Sequence, residues 1–331
     1  MTAEHPTRLV FFGAPEYAVP SLRVCLELPG TEVVAVVTQP DRPRGRSRAA
    51  QTTPVKDLAV TAGVPLLLQP DRVRRDTTEA IAARQPDVGV VAASGHILPS
   101  HLLEVFPHGV LNVHASLLPR HRGASPVAAA ILAGDAVSGA SIMRVVRELD
   151  AGPVLARRET PIGPLDTTGA LTARIADLGA ALLAETLPRW LAGEVAPQPQ
   201  DDALATFAPR LTKDDGAIDW TLPAEEIARA VRAYHPWPLA TTRRGDDPLA
   251  ILEAWPLPGD PGGAPGTVSA GDGTALTPLL PGRTARAVVA CGAGALALLT
   301  VQRAGRRALS IEEYLNGDRA LIGSVLGGGF E

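Results

Sequence analysis

With 331 residues, 46% of them hydrophobic, the chain has the length for two domains and the apolar content for a large core. Its formal net charge of −4 gives no general nucleic-acid signal, so any such partner must be held by local basic patches. Two cysteines, Cys25 and Cys291, exclude a disulfide framework. Met1–Arg8 is polar with no signal-peptide core, and no apolar run reaches membrane-spanning length, so a cytoplasmic, membrane-free protein is expected.

The first half of the chain alternates between two patterns. Arg8–Gly13 is an apolar run closed by glycine and predicts a strand. Tyr17–Leu28 carries Val19, Leu22, Cys25 and Leu26 at helical spacing. Thr31–Thr38 is a second, Val-rich strand, and Thr53–Ala62 a helix with Thr53 as N-cap. Pro65–Gln69 and Val88–Ala93 predict strands around the helix Thr77–Arg84. A short helix follows, then the strand Gly109–Val113, a helix at Pro126–Ala133, strands at Ala140–Val146 and Val154–Thr160, and a long helix at Thr168–Leu191. Strands alternating with helices imply an α/β, Rossmann-like, doubly wound and largely parallel sheet. The first turn, Gly13-Ala14-Pro15-Glu16, is not G-x-G-x-x-G, which disfavours a dinucleotide.

Residues 192–208, rich in Pro, Gln, Asp and Ala, read as a linker. Beyond it, a short helix at Ala224–Ala233 is broken by Tyr234-His235-Pro236-Trp237-Pro238. Short Val, Leu and Ala runs between Gly, Pro and Asp turns then predict a small β-barrel. Ser310–Gly317 is a last helix with Ser310 and Glu313 forming a capping box. The expected domains are 1–191, the linker 192–208, and 209–331.

Chemistry concentrates at the end of the Gly109–Val113 run. Asn112 and His114 are two residues apart, so a carboxamide and an imidazole project to one side where strand gives way to loop. Ligands of open α/β sheets bind at such strand ends, and this donor pair suits a developing oxyanion. A bare Asn-x-His is more often structural than catalytic. The residues that follow change this. Asn-x-His-x-Ser-Leu-Leu-Pro at 112–119, with Leu149-Asp150-Ala151-Gly152 downstream, resembles the formyltransferases that use 10-formyltetrahydrofolate. Gln39-Pro40-Asp41-Arg42-Pro43-x-Gly-Arg resembles the loop with which the methionyl-tRNA formyltransferases recognise the acceptor arm. Leu211–Trp220 and Arg232–Pro238 are similar to that family's C-terminal domain, so the resemblance spans nearly the whole chain.

The resemblance implies transfer of a formyl group from 10-formyltetrahydrofolate, the co-substrate, to the α-amine of methionyl initiator tRNA. It implies Asn112, His114 and Asp150 as catalytic residues, and Ser116, Leu117, Leu118, Pro119, Ile97 and Leu98 as the lining of the folate site. It implies Arg42, Arg44 and Arg46 as tRNA contacts, Arg42 most directly, and an OB-like barrel after residue 209. Ser94 and His96 stand where members often carry Tyr-Gly-Leu, and Ala151 replaces a usual Thr. The region 210–331 holds more acidic than basic residues, with Arg303, Arg306 and Arg307 its one basic cluster.

The residues fit that chemistry. An α-amine, with a pKa of about 7.7–8.0, needs little activation at neutral pH. No covalent nucleophile or metal is required; Cys25 lies in an apolar helix pattern, and no cluster has metal-ligand spacing. Asn112 and His114 would donate to the oxyanion. Asp150 would keep the imidazole charged and accept the amine proton. A monomer is expected. The alternative is a sugar-nucleotide N-formyltransferase with the same trio, for which the arginine-rich loop has no purpose. A non-catalytic RNA- or folate-binding module would have no need of the trio.

Overall fold

The computed structural model describes residues 5–43, 50–259 and 261–327. Arg44, Arg46 and Arg48 lie outside the described residues. The chain divides into two compact units. The first comprises Met1–Val127, Val137–Pro161 and Ala170–Pro209, and the second Ala128–Ala136, Ile162–Gly169 and Arg210–Glu331.

The first unit is built on a seven-stranded sheet. Its strands are β1 (Thr7–Gly13), β2 (Thr31–Val37), β3 (Leu67–Leu68), β4 (Val88–Ala92), β5 (Val110–His114), β6 (Val137–Arg144) and β7 (Val154–Pro161). The spatial order is β7-β6-β5-β4-β1-β2-β3. Pairings among β1 to β5 are parallel, while β6 runs antiparallel to β5, and β7 to β6. The chain winds outward from β1 through β2 to β3, returns to β4, and proceeds the other way. That reversal between β1 and β4 is the switch point near which such sheets bind ligands.

The strands read as continuous apolar runs because both faces are covered. Leu9, Val10, Phe11 and Phe12 are fully buried, as are Ala35, Val36 and Val37. Phe12 meets Phe106 edge-on, with centroids 6.2 Å apart and planes at 76°. Around them pack Val10, Val34, Ile81, Leu102 and Val110. The second helix begins at a side-chain cap. Thr53 accepts the Lys56 amide at 3.1 Å ahead of α2 (Pro54–Thr61) in the numbering that starts with α1 at Val19–Glu27. Thr53 also meets the Thr38 hydroxyl at 2.7 Å, which ties the start of α2 to the end of β2.

Residues 192–208, expected as a linker, lie with the first unit. Gln198 and Val154 exchange two backbone hydrogen bonds of 2.8 Å, and Phe207–Ala208 pairs in parallel with Arg122–Gly123. Backbone pairing docks this stretch, which is why its side chains show no periodicity.

The second unit carries a six-stranded antiparallel sheet made of β8 (Ala240–Arg244), β9 (Asp247–Leu257), β10 (Val268–Ala270), β11 (Ala287–Ala290), β12 (Ala295–Arg303) and β13 (Leu309–Ser310). The order is β8-β9-β12-β11-β10, with β13 on β12. Register shifts between Ile251 and Ala254 bend the long strand β9. The helix Ala224–Ala233 sets Ile227 and Val231 against Leu249, Ile251, Leu296 and Leu298. The helix Ile311–Gly317 has the expected box, with Ser310 and Glu313 capping each other's backbone amides.

Phe12 sits at the centre of the first core, so Phe12→Ala is expected to lower that unit's stability by roughly 3–5 kcal/mol. Urea denaturation should show a lower midpoint at unchanged m-value.

Candidate active site

Strand β5 delivers Asn112 and His114 to the carboxyl edge of the parallel strands. Asn112 is in register with Val91 of β4 and Met143 of β6. Its side chain is half-buried, and among the described residues no group hydrogen-bonds its carboxamide. His114 is 6% exposed. Its Nε2 lies 3.1 Å from the carbonyl oxygen of His121. A carbonyl only accepts, so Nε2 carries a proton whether the ring is neutral or charged.

Nδ1 therefore faces Asp150, whose Oδ2 is 3.7 Å away. This is ion-pair contact, slightly too long for a direct hydrogen bond. The Asp150 carboxylate is 13% exposed and accepts the Gly123 N–H at 2.8 Å. The approach of Asp150 to His114 depends on a return of the chain. Because β6 is antiparallel to β5, Ser141 lies opposite His114, and the strand ends at Arg144 opposite Leu111. The loop 145–153 then folds back. Asp150 adopts a left-handed φ of +48°, and Gly152 lies so close to the Arg144 carbonyl that a Cβ would sit 1.8 Å from its oxygen.

The residues expected to line a folate site divide. Ser116 and Leu118 turn inward. Ser116 Oγ donates to the Arg120 carbonyl at 2.6 Å, and Leu118, 1% exposed, packs on Met143 and Val154. Ser141 Oγ donates to the Ser116 carbonyl at 2.6 Å and accepts the Leu118 amide at 3.1 Å, so β6 shapes the loop from below. Leu117 and Pro119 remain partly exposed. Ile97 is 89% exposed, and Leu98 is half-buried against the first core. Ser94 and His96 form a clasp: His96 Nε2 donates to the Pro70 carbonyl at 2.9 Å, so Nδ1 accepts the Ser94 hydroxyl at 3.0 Å.

Arg42 stands outward, its side chain 69% exposed, with Nη2 3.5 Å from Asp71 Oδ1. The neighbouring residue anchors the loop. Asp41 takes a 2.5 Å contact from Lys56 and a 2.7 Å hydrogen bond from Gln69, and these two bonds hold its carboxyl below the usual carboxylate range. Neither cysteine offers a thiolate at neutral pH. Burial pushes Cys25 far up and Cys291 to about 11. Among the described residues no three His, Cys, Asp or Glu side chains are grouped to hold a metal ion, and no helix is long and apolar enough to cross a membrane.

Sequence reasoning missed His121, Arg122, Gly123 and Gln200. Arg122 is 5% exposed; its guanidinium donates to Gln200 Oε1 at 3.1 and 2.9 Å and to Asp202 at 2.7 Å. In sequence it sits in the run Arg120-His121-Arg122, beyond the Ser-Leu-Leu-Pro motif. Gln200 lies in an aperiodic stretch that carries no signal.

Residues 7–187 match the formyl transferase family model, and residues 210–319 match that of the formyl transferase C-terminal domain. The chain is 46% identical to a methionyl-tRNA formyltransferase of Roseiflexus sp., over 97% of this chain and 96% of the relative. It is 44% identical to one of Myxococcus xanthus, over 96% and 97%. The chain belongs to the methionyl-tRNA formyltransferase family. Among solved structures, an N-formyltransferase from Helicobacter canadensis, in complex with folinic acid and dTDP-3-aminofucose, superposes with a TM-score of 0.63. That match has 16% identity and covers 88% of this chain and 99% of that one. HypX from Aquifex aeolicus, in complex with tetrahydrofolic acid, matches with a TM-score of 0.58 and 18% identity over 94% of this chain; the chain spans 47% of HypX. These two likenesses show the fold alone.

In this formyltransferase, Gly123 combines a φ of +124° with a tight approach: a Cβ would lie 2.4 Å from the Ala208 carbonyl oxygen. Gly123→Ala should displace the N–H from Asp150 and cut kcat by about 10²-fold, the scale of a small misplacement at a reacting centre. Steady-state kinetics beside a thermal melt checks it, and wild-type turnover would show the contact to be dispensable.

Proposed function

We propose that the enzyme transfers the formyl group of 10-formyltetrahydrofolate to the α-amine of methionyl initiator tRNA, giving N-formylmethionyl-tRNA, and does so as a cytoplasmic monomer. The observation that carries this reading is the near full-length likeness, at 41–46% identity, to proteins named methionyl-tRNA formyltransferase. Sugar N-formyltransferase structures share only 14–16% identity, too little to carry their acceptor over to this chain.

The site's geometry supports the chemistry. The amine nitrogen attacks the formyl carbon, and the carbonyl oxygen becomes an oxyanion. The bond from that carbon to N10 of the folate then breaks, N10 leaves with a proton, and the amine gives one up. Asn112 has a carboxamide free of described protein partners, suited to donate to the oxyanion. With Nε2 of His114 bonded to the His121 carbonyl, Nδ1 is the ring nitrogen left to face substrate, and a proton there donates to the oxyanion while Asp150 balances its charge. Asp150 is placed to accept the amine proton, directly or through a water. The partly exposed Leu117 and Pro119, with Ile97, supply apolar surface for the folate ring, while Ser116 and Leu118 support the loop from inside. No metal enters this scheme.

Asn112→Ala and His114→Ala are each expected to reduce kcat by roughly 10²–10³, the usual loss for one oxyanion donor. Folate binding, measured by fluorescence titration, should change far less. Near-normal turnover in either variant would remove that residue from the chemistry.

The acceptor is tested by assaying methionyl initiator tRNA against an amino-sugar nucleotide, with 10-formyltetrahydrofolate as donor. If Arg42, and with it Arg44 and Arg46, grips the phosphate backbone, Arg42→Ala raises KM for charged tRNA and leaves turnover of a minimal amine acceptor unchanged. Wild-type binding weakens with salt, and each phosphate contact removed lowers the slope of that dependence by about one. Equal tRNA kinetics for wild type and Arg42→Ala at several salt concentrations would favour the sugar-nucleotide acceptor.

A further inference from the structure

Residues 121–123 each hold one part of the His114–Asp150 pair. His121 offers its carbonyl to Nε2 of His114, and Gly123 donates its N–H to Asp150. Arg122, between them, reaches Asp150 through Gln200. Its Nε and Nη2 lie 3.1 and 2.9 Å from Gln200 Oε1, which fixes the way the carboxamide faces. The amide nitrogen then donates to the carbonyl oxygens of Asp150 and Gly152, both at 2.7 Å. Those carbonyls belong to the turn that leaves Asp150, whose φ is +48°, a conformation that an L residue keeps only where its surroundings hold it.

We infer that Gln200, steered by Arg122, is a positioning residue for formyl transfer: it holds the Asp150 turn in its left-handed form and so keeps the carboxylate against Nδ1 of His114. The inference rests on the roles proposed above for His114 and Asp150. The cost of the arrangement supports it. A buried guanidinium is expensive unless its charge and its donors are met. Arg122, 6% exposed at its side chain, is met by Asp202 at 2.7 Å and by Gln200. A turn on the surface needs no such buried ion. Here the ion orients an amide whose donors go to the carbonyls of Asp150 and Gly152. The segment bearing Gln200 is itself pinned on both sides, by Gln198 to Val154 at 2.8 Å and by the Thr206 carbonyl to the Arg122 amide at 2.8 Å.

Gln200→Glu tests this in the full-length enzyme. The carboxylate keeps the volume and still accepts from Arg122, but it has no proton for the carbonyls. We expect kcat to fall by about 10²-fold, as a small displacement of a reacting group does, with KM for both substrates unchanged. In an Asp150→Asn background, Gln200→Glu should cost nothing more, because a residue that acts only through Asp150 has lost its route. Should Gln200→Glu fail to fold, Arg122→Lys, which keeps the charge but loses the fork, carries the same test with the same expected split. A wild-type kcat, a change confined to KM, or a full further loss in the Asp150→Asn background each overturns the positioning role. An active Asp150→Asn enzyme would instead strike the site assignment beneath it, so the two failures are distinguishable.

Discussion

The pairing of His114 with Asp150 is the constraint around which the first unit is arranged. Both side chains are nearly buried, at 6% and 13% exposure, and buried polar groups are costly unless each is met. The inward-facing groups are met. The His121 carbonyl takes Nε2–H, the Gly123 N–H takes Asp150 Oδ2, and Gln200 takes the backbone carbonyl of Asp150. What lacks a described partner is the Asn112 carboxamide, beside which Nδ1 faces the Asp150 carboxylate from 3.7 Å. One side of this pair is thus satisfied by the protein's own groups, an arrangement that suits the preorganised electrostatic role proposed for it.

The triplet 121–123 does this only because another segment holds it. The Arg122 amide donates to the Thr206 carbonyl at 2.8 Å, the Ala124 amide to the Ala208 carbonyl at 2.9 Å, and the His121 amide to Thr206 Oγ1 at 2.9 Å. Residues 198–208 thus hold the triplet through backbone and side-chain hydrogen bonds, and Gly123 is needed where that strand approaches too closely for a Cβ. The sheet supplies the rest. Parallel strands β4 and β5 set Asn112 at their carboxyl edge, and the antiparallel turn into β6 makes the chain return before Asp150 can reach His114.

The regular elements were legible because burial imposes periodicity. The runs around Leu9–Phe12 and Val34–Val37 are apolar throughout since both faces of the sheet are covered. Thr53, Ser310 and Glu313 announced helix starts that the structure contains. The proximity of Asn112 and His114 was legible too, since a strand places alternate residues on one side whatever surrounds it. The inward turn of Ser116 and Leu118 was not. A loop's facing depends on partners such as Ser141, 25 residues away in sequence from the Ser116 carbonyl it holds.

By itself, the sequence determined the largely parallel α/β framework and the family. These depend on local pattern or on short motifs, which residue identity carries directly. The tertiary structure alone decided that residues 192–208 pack as part of the first unit, that Nε2 of His114 donates to the His121 carbonyl, and that Arg122 and Gln200 support Asp150. Each of these is a hydrogen bond between segments far apart in the chain. Arg122 and Gln200 are 78 residues apart, and Gln200 and Asp150 50 apart. No spacing in the sequence encodes such contacts, because their geometry exists only once the sheet has brought the segments together.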